Sequence, residues 1–171
     1  MSQFSPHPTR PTLADYIPVK AVYPAGRLDA NSEGLLILTD DGALQHRLSD
    51  PRHKLAKTYW AQVEGVPTTQ TLAAFKAGIR YGDQAYLPAQ ARVIDAPARL
   101  WPRNPPIRER KAIPTSWLEI TLREGKNHQV RHMTAAIGYP TLRLIRAAIG
   151  AWRIDDLAPG EYREVEASVA R

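Results

Sequence analysis

Two segments of the chain alternate strictly between side-chain types, and this limits the fold more than any other feature. In Lys57-Thr58-Tyr59-Trp60-Ala61-Gln62-Val63-Glu64-Gly65, Tyr59, Ala61 and Val63 share one face, and Thr58, Trp60 and Gln62 the other. Trp117 to Leu122 sets Trp117, Glu119 and Thr121 against Leu118, Ile120 and Leu122. A period of two belongs to a strand whose faces meet different surroundings. Residues 86–95 alternate in the same way. Ala21-Val22-Tyr23 reads as a short strand, and Thr141–Ile149 and Ala151–Ile154 as two strands around Gly150. A last strand is expected over Tyr162–Val165, after a turn at Pro159-Gly160.

Helices are fewer and short. Thr12–Ile17 has room for one turn before Pro18, and Ala43–Leu48 for a short helix ended by Ser49-Asp50-Pro51. Thr68 or Thr69 caps a helix that runs to about Ala77 and stops at Gly78, with Leu72, Phe75 and Ile79 on one face. Asn127 is expected to cap a helix over His128–Ile137, closed by Gly138, whose core face is Val130, Met133 and Ile137. Strands with a few interspersed helices predict an α+β fold with a mainly antiparallel sheet. A chain of 171 residues, 43% hydrophobic, suits a single domain spanning residues 1–171. Residues 1–12, with Pro6, Pro8 and Pro11, read as a flexible lead-in.

The formal charge of +6 favours a polyanionic partner. Cysteine is absent, which excludes disulfides and thiolate metal sites. No apolar run has the length of a membrane span, and the N-terminus shows no signal-peptide core, so a cytoplasmic protein is expected. The basic residues cluster twice. Residues 96–114 join Pro97, Pro102, Pro105, Pro106 and Pro114 to Arg99, Arg103, Arg108, Arg110 and Lys111, against Glu109 alone. Proline stiffens such a loop and lowers the cost of ordering it on a ligand. With Trp101 among them, these residues are candidates for RNA contact as much as for a solvated linker. The second cluster is Arg123, Lys126, Arg131, Arg143 and Arg146, opposed by Glu124, with conditional charge from His128 and His132. Arg131 lies one step round from Val130, so its head is expected along the sheet surface. His128 and His132 stand four apart, a spacing that can hold a metal. The glutamate of the metalloprotease motif is missing and Arg131 would repel a cation, so no metal is expected and contact with RNA phosphate is. No phosphate loop and no Gly-x-Ser-x-Gly elbow occurs.

One further stretch carries chemistry: Gly26-Arg27-Leu28-Asp29-Ala30-Asn31-Ser32-Glu33-Gly34-Leu35-Leu36-Ile37-Leu38-Thr39-Asp40-Asp41-Gly42. The apolar run Leu35–Leu38 followed by Asp40-Asp41-Gly42 reads as a β-hairpin signal. Asp29 sits between Leu28 and a polar turn. A carboxylate beside a buried strand costs free energy unless a partner is near, and Arg27 is one candidate. Asp29 is either a turn or capping aspartate, or a catalytic carboxylate at the edge of a sheet. A glycosidase pair of Asp29 with Glu33 or Asp40 is chemically open, but no spacing supports it.

The same stretch resembles the nucleophile motif of the RNA pseudouridine synthases, in the branch that modifies single uridines of bacterial ribosomal RNA. The likeness extends through Lys57-Thr58-Tyr59, Glu124-Gly125-Lys126-Asn127-His128-Gln129-Val130-Arg131-His132-Met133, Leu144-Ile145-Arg146 with Gly150, and Leu157-Ala158-Pro159-Gly160-Glu161-Tyr162-Arg163. Trp101-Pro102-Arg103-Asn104-Pro105-Pro106-Ile107-Arg108-Glu109-Arg110-Lys111, with Ile113-Pro114-Thr115-Ser116-Trp117, is similar to members acting on 23S rRNA of the large subunit.

The resemblance implies a mainly antiparallel mixed sheet flanked by a few helices, with an active-site cleft across it. It implies Asp29 as nucleophile, Arg131 as its basic partner, and Tyr59 as the aromatic that stacks on uracil. It implies Leu144 as the pocket's apolar wall, Arg146 beside it on the substrate, and Arg27 in the gap left by the flipped base. Arg103, Arg108, Arg110, Lys111, Lys126, His128 and His132 would bind RNA. No cofactor is implied. The partner is 23S rRNA or a large-subunit precursor particle, met by a monomer. The alternative is an rRNA-binding assembly factor with little or no catalysis; a third reading is a basic carboxylate hydrolase of unrelated type. Three departures are visible. No strand with a Lys-Pro pair precedes the motif, so a shortened sheet edge is expected. No separate N-terminal RNA-binding domain is seen. His128 and His132 stand where arginine is common, which makes their phosphate contacts weaker or dependent on pH.

Overall fold

The computed structural model describes residues 1–53 and 55–167. Its strands are β1 (Tyr23–Ala25), β2 (Glu33–Gly34), β3 (Ile37–Thr39), β4 (Lys57–Glu64), β5 (Ile79–Tyr81), β6 (Gln84–Tyr86), β7 (Gln90–Ile94), β8 (Thr115–Leu122), β9 (Thr141–Ile149) and β10 (Trp152–Arg153). The helices are α1 (Gly42–Ser49), α2 (Thr69–Leu72), α3 (Ala74–Ala77) and α4 (Gln129–Ala136), with short 3-10 turns at Leu13–Asp15 and Pro51–His53. The main sheet runs β10-β9-β4-β8-β7, antiparallel throughout, and β2 adds a parallel pair to β9. This is the expected α+β class. Among the described residues no helix is long and apolar enough to cross a membrane.

Alternation translates directly into layers. β4 and β8 pair without interruption from Lys57↔Leu122 to Glu64↔Thr115. Ala61, Val63, Leu118, Ile120 and Leu122 therefore point to one side, where they pack with Leu72, Phe75, Val130 and Met133 of the helices. Phe75, Leu118, Ile120 and Met133 are fully buried there. Across the sheet, Ile145, Ala147 and Ile154 meet Trp60, Trp101 and Trp117. A third cluster joins α1 to β1 and the end of β9 through Ala25, Leu44, Leu48, Ile149 and Trp152.

Several local expectations need correction. Asp40-Asp41-Gly42 turns no hairpin: β3 pairs back with β1, and Asp41 caps α1, its carboxylate accepting from Ala43 N at 2.8 Å and Leu44 N at 3.1 Å. Aspartate before glycine serves turns and helix caps alike, and the helix that follows decides between them. The first strand starts two residues later than expected, because Ala21 adopts a left-handed φ of 63° that no strand accommodates. The helix after Thr68 breaks at Ala73 into α2 and α3. The segment expected as one strand over 86–95 divides: β6 closes a hairpin with β5 across Gly82-Asp83, and β7 begins only after Pro88. At α4 the capping position is His128, with φ 50°, rather than Asn127. Tyr162–Val165 forms no strand; these residues are exposed and pair with nothing in the sheet. Residues 1–12 form no regular element, yet they are tied to the fold. Leu13 N donates to the Gln3 carbonyl at 2.8 Å, and the Ser2 hydroxyl lies 3.2 Å from the Leu28 carbonyl.

Candidate active site

β9 threads between two partners at the point that matters. Tyr59 of β4 stands opposite Arg146, Ala61 opposite Leu144, and on the other side Gly34 of β2 stands opposite Arg146. Leu144 and Arg146 share a face by strand alternation, and a β-bulge between Thr58 and Tyr59 re-aims the start of β4. Gly34, with φ +112°, is required: a Cβ there would collide with the Arg146 backbone, so only glycine lets β2 come this close. This wall, the turn carrying Arg27 and Asp29, and the start of α4 enclose a cleft of about 360 Å³.

Asp29 sits at the entrance, half-buried, in a turn closed by Ser32 N donating to the Asp29 carbonyl at 2.9 Å. Arginines hold that turn in place. Arg146 Nε donates to the Leu35 carbonyl at 2.9 Å, and its Nη1 to the Arg27 carbonyl at 3.3 Å. Arg131 Nη2 donates to the Asn31 carbonyl at 3.1 Å, joined by Arg103 Nη2 at 3.4 Å. Glu33, at the end of the turn, accepts two bonds from Arg143 at 2.9 Å each and one from Trp101 Nε1 at 2.7 Å. Arg103 Nε adds an ion pair to Glu33 at 3.5 Å. Arg143 Nη2 also donates to the Trp101 carbonyl at 2.9 Å, which straps the proline-rich loop to the sheet.

Electrostatically, Arg146 is the unusual group. It is 5% exposed, and Nη2 has no hydrogen-bond partner in the protein. Burial pushes its pKa below the ordinary arginine value, while the neighbouring Tyr59 and Asp29 act in the opposite direction. The Tyr59 phenol is pushed above its usual 10, first by burial, with Arg146 opposing. Lys57, at the cleft floor, is pushed down by burial and then by Arg146. Two guanidinium groups thus face the Asp29 neighbourhood, and they do so differently. Neither forms an ion pair with Asp29; the hydrogen bonds of Arg146 go to the Leu35 and Arg27 carbonyls, those of Arg131 to the Asn31 and Thr141 carbonyls. Burial lowers its pKa, Asp29 raises it and Arg103 lowers it again.

The residue in direct contact with Asp29 is His128, with Nδ1 3.2 Å from Oδ2. Sequence reasoning assigned it to phosphate. Its left-handed backbone swings the side chain back over the cleft, and nothing in the Asn127-His128 pair announces that conformation. The other expected RNA contacts divide. Arg108 and Lys111 are exposed on the proline-rich loop, and Arg110 reaches Glu64 at 3.7 Å while staying mostly in solvent. Arg103 is engaged by Asn31, Pro105 and Glu33. Lys126 donates to the Ala85 carbonyl at 2.8 Å, and His132 lies 2.6 Å from the Tyr86 hydroxyl. Arg27 is exposed at the cleft rim and Leu144 is buried in its wall. Glu33 and Arg143 were not singled out as a pair, because residues 110 positions apart give no local signal of meeting.

A carboxylate at the mouth of a cleft backed by a partly buried tyrosine and a buried arginine, with cations around the rim, agrees with what comparison finds. The family model described as RNA pseudouridylate synthase matches residues 14–136, and the chain belongs to that family. It is 57% identical over 161 residues to the ribosomal large subunit pseudouridine synthase E of Xanthomonas axonopodis pv. citri (strain 306), covering 93% of this chain and 85% of that protein. The protein of the same description from Vibrio vulnificus (strain CMCP6) is 55% identical over 165 residues, 96% of this chain and 70% of the relative. A solved pseudouridylate synthase superposes with a TM-score of 0.75 at 30% identity, covering 92% of this chain and 63% of that one.

Proposed function

We propose that this protein converts a uridine of large-subunit ribosomal RNA into pseudouridine, with Asp29 as the nucleophile. The observation that carries the reading is the placement of Asp29 at the mouth of a cleft whose inner wall is Tyr59, Leu144 and Arg146. The names of the relatives at 57% and 55% identity support large-subunit RNA as the substrate. The target base is taken out of its stack into the cleft. The bond from ribose C1′ to uracil N1 breaks, the base turns, and C1′ is rejoined at C5. The C5 proton leaves and N1 regains one, so the product is an isomer of the substrate and no redox change occurs.

Each residue has a role set by its surroundings. Asp29 acts as the carboxylate nucleophile. Arg131 is the basic partner of Asp29, and it also holds the Asn31 carbonyl and through it the turn. Tyr59 stacks on the uracil and, with its pKa raised, stays a phenol at neutral pH. Leu144 closes the apolar side of the pocket. Arg27 enters the space the base has left. Arg108, Arg110 and Lys111 meet phosphates along the strand. The protein acts as a monomer in the cytoplasm, on free rRNA or an assembling particle.

The test is site-resolved pseudouridine mapping on unmodified 23S rRNA incubated with the protein and with Asp29→Ala. One new site that needs Asp29 is the expected result. A folded protein that binds the RNA and makes no pseudouridine would overturn the catalytic reading.

A further inference from the structure

Beside the cleft, the β5–β6 hairpin presents an aromatic ring for which the isomerisation has no use. Tyr81, the last residue of β5, is 44% exposed. Its ring lies flat on the His132 imidazole, with centroids 4.7 Å and planes 12° apart. His132 is itself held, since Nδ1 lies 2.6 Å from the Tyr86 hydroxyl. The hairpin is clamped to the start of α4 a second time by Lys126, which donates to the Ala85 carbonyl at 2.8 Å and sits 5.6 Å over the Tyr86 ring. Tyr81 is thus backed on one face by a fixed imidazole while much of its surface remains in water.

Simple packing of the hairpin on the helix does not account for this. Tyr86, in the paired strand, already does that work and is 4% exposed. A second aromatic left in water is a cost to the free protein unless something covers it.

The position indicates what does. The His128 and His132 rings are 6.0 Å apart, and His128 Nδ1 is 3.2 Å from the Asp29 carboxylate. Tyr81 therefore stands at the end of a short row of rings that starts at Asp29. Lys126 supplies positive charge beside it, against Glu124 and, in the hairpin turn, Asp83. A rigid aromatic face beside a cation is a surface on which an unpaired RNA base stacks. We propose that Tyr81, backed by His132, is a stacking ledge for an unpaired base of the RNA strand entering the cleft, close in sequence to the target uridine. The proposal rests on the function proposed above and adds to it a residue and a contact.

The experiment compares wild type with Tyr81→Ala, Tyr81→Leu and Tyr81→Phe on unmodified 23S rRNA. It reads affinity by filter binding, and the single-turnover rate at saturating RNA. Tyr81→Ala and Tyr81→Leu are expected to bind about tenfold more weakly. Their rates at saturation should stay within about twofold of wild type, as for a group that binds the substrate and its transition state equally. Tyr81→Phe, which keeps the ring, is expected to bind as wild type. Tyr81→Leu covers His132 without a π-face. Wild-type affinity in that variant would make the ring mere packing and overturn the ledge, as would a Tyr81→Phe variant as weak as Tyr81→Ala. Wild-type protein that binds this RNA but makes no pseudouridine would overturn the catalytic reading, while the affinities would still judge the ledge. Wild-type protein that does not bind it would overturn both.

Discussion

Tyr59, Leu144 and Arg146 stand on strands paired on both sides, whereas Asp29 stands across the cleft on a turn that no ladder holds. The sheet wall is placed by backbone pairing and by packing against α4, which tolerate little displacement. The turn is placed by polar contacts: Arg146 on the Leu35 and Arg27 carbonyls, Arg131 and Arg103 on Asn31, and Arg143 and Trp101 on Glu33. The chain puts the carboxylate proposed to react where regular structure does not reach, then fixes its turn with guanidinium groups. The same groups bring positive charge to a site that receives RNA. A turn held in this way can be moved by losing one side chain, and a ladder cannot.

Six substitutions would break or sharpen this contrast. Asp29→Ala should lower pseudouridine formation by ~10³-fold or more, with RNA affinity nearly intact in filter binding. A comparable loss of affinity would make Asp29 a binding group. Glu33→Ala should come next, acting on the fold itself. It leaves Arg143 buried without its carboxylate, which costs about 3 kcal/mol in urea denaturation, at the lower end for a buried pair because Glu33 retains some contact with water. Stability unchanged in that variant would mean that the turn is held without its polar strap. Arg146→Lys keeps charge but cannot reach both carbonyls in one plane, and it should slow single-turnover chemistry on the order of a hundredfold. Arg131→Lys should do less, since the charge near Asp29 is kept and Arg103 still bonds Asn31; the reverse order would make the planar fork of Arg131 the more demanding contact. The smallest effect belongs to the proline-rich loop. Arg108→Ala and Arg110→Ala should each reduce the slope of log affinity against log salt by about 1. An unchanged slope would remove the loop from the phosphate-binding surface.

Much of this was legible in the residues, though unevenly. The alternation of β4 and β8 located the core faces at once, because a buried face on a paired strand admits no other pattern. The motif around Asp29 marked the carboxylate for which the nucleophile's role is proposed. Where local chemistry has two uses, reading it locally went astray, as with Asp41, which caps a helix rather than turning a hairpin. Gly82-Asp83 carried a hairpin signal that was overlooked under the alternation that followed it. Arg131 shows the limit most clearly. Its helix face was legible, but a long flexible side chain has many targets within reach, and nothing local announced its bonds to the Asn31 and Thr141 carbonyls.

What the amino-acid sequence determined by itself depends on near neighbours: the faces of β4 and β8, helix stops such as Gly78, and the polar turn after Asp29. Only the tertiary structure decided that His128 touches Asp29, that Arg131 holds the Asn31 carbonyl, and that Glu33 anchors a loop about 70 residues away through Trp101. Strand periodicity is a short-range property enforced by backbone geometry. The partner of a charged side chain is selected among groups that meet only when distant segments pack, and by the cost of leaving any of them buried alone.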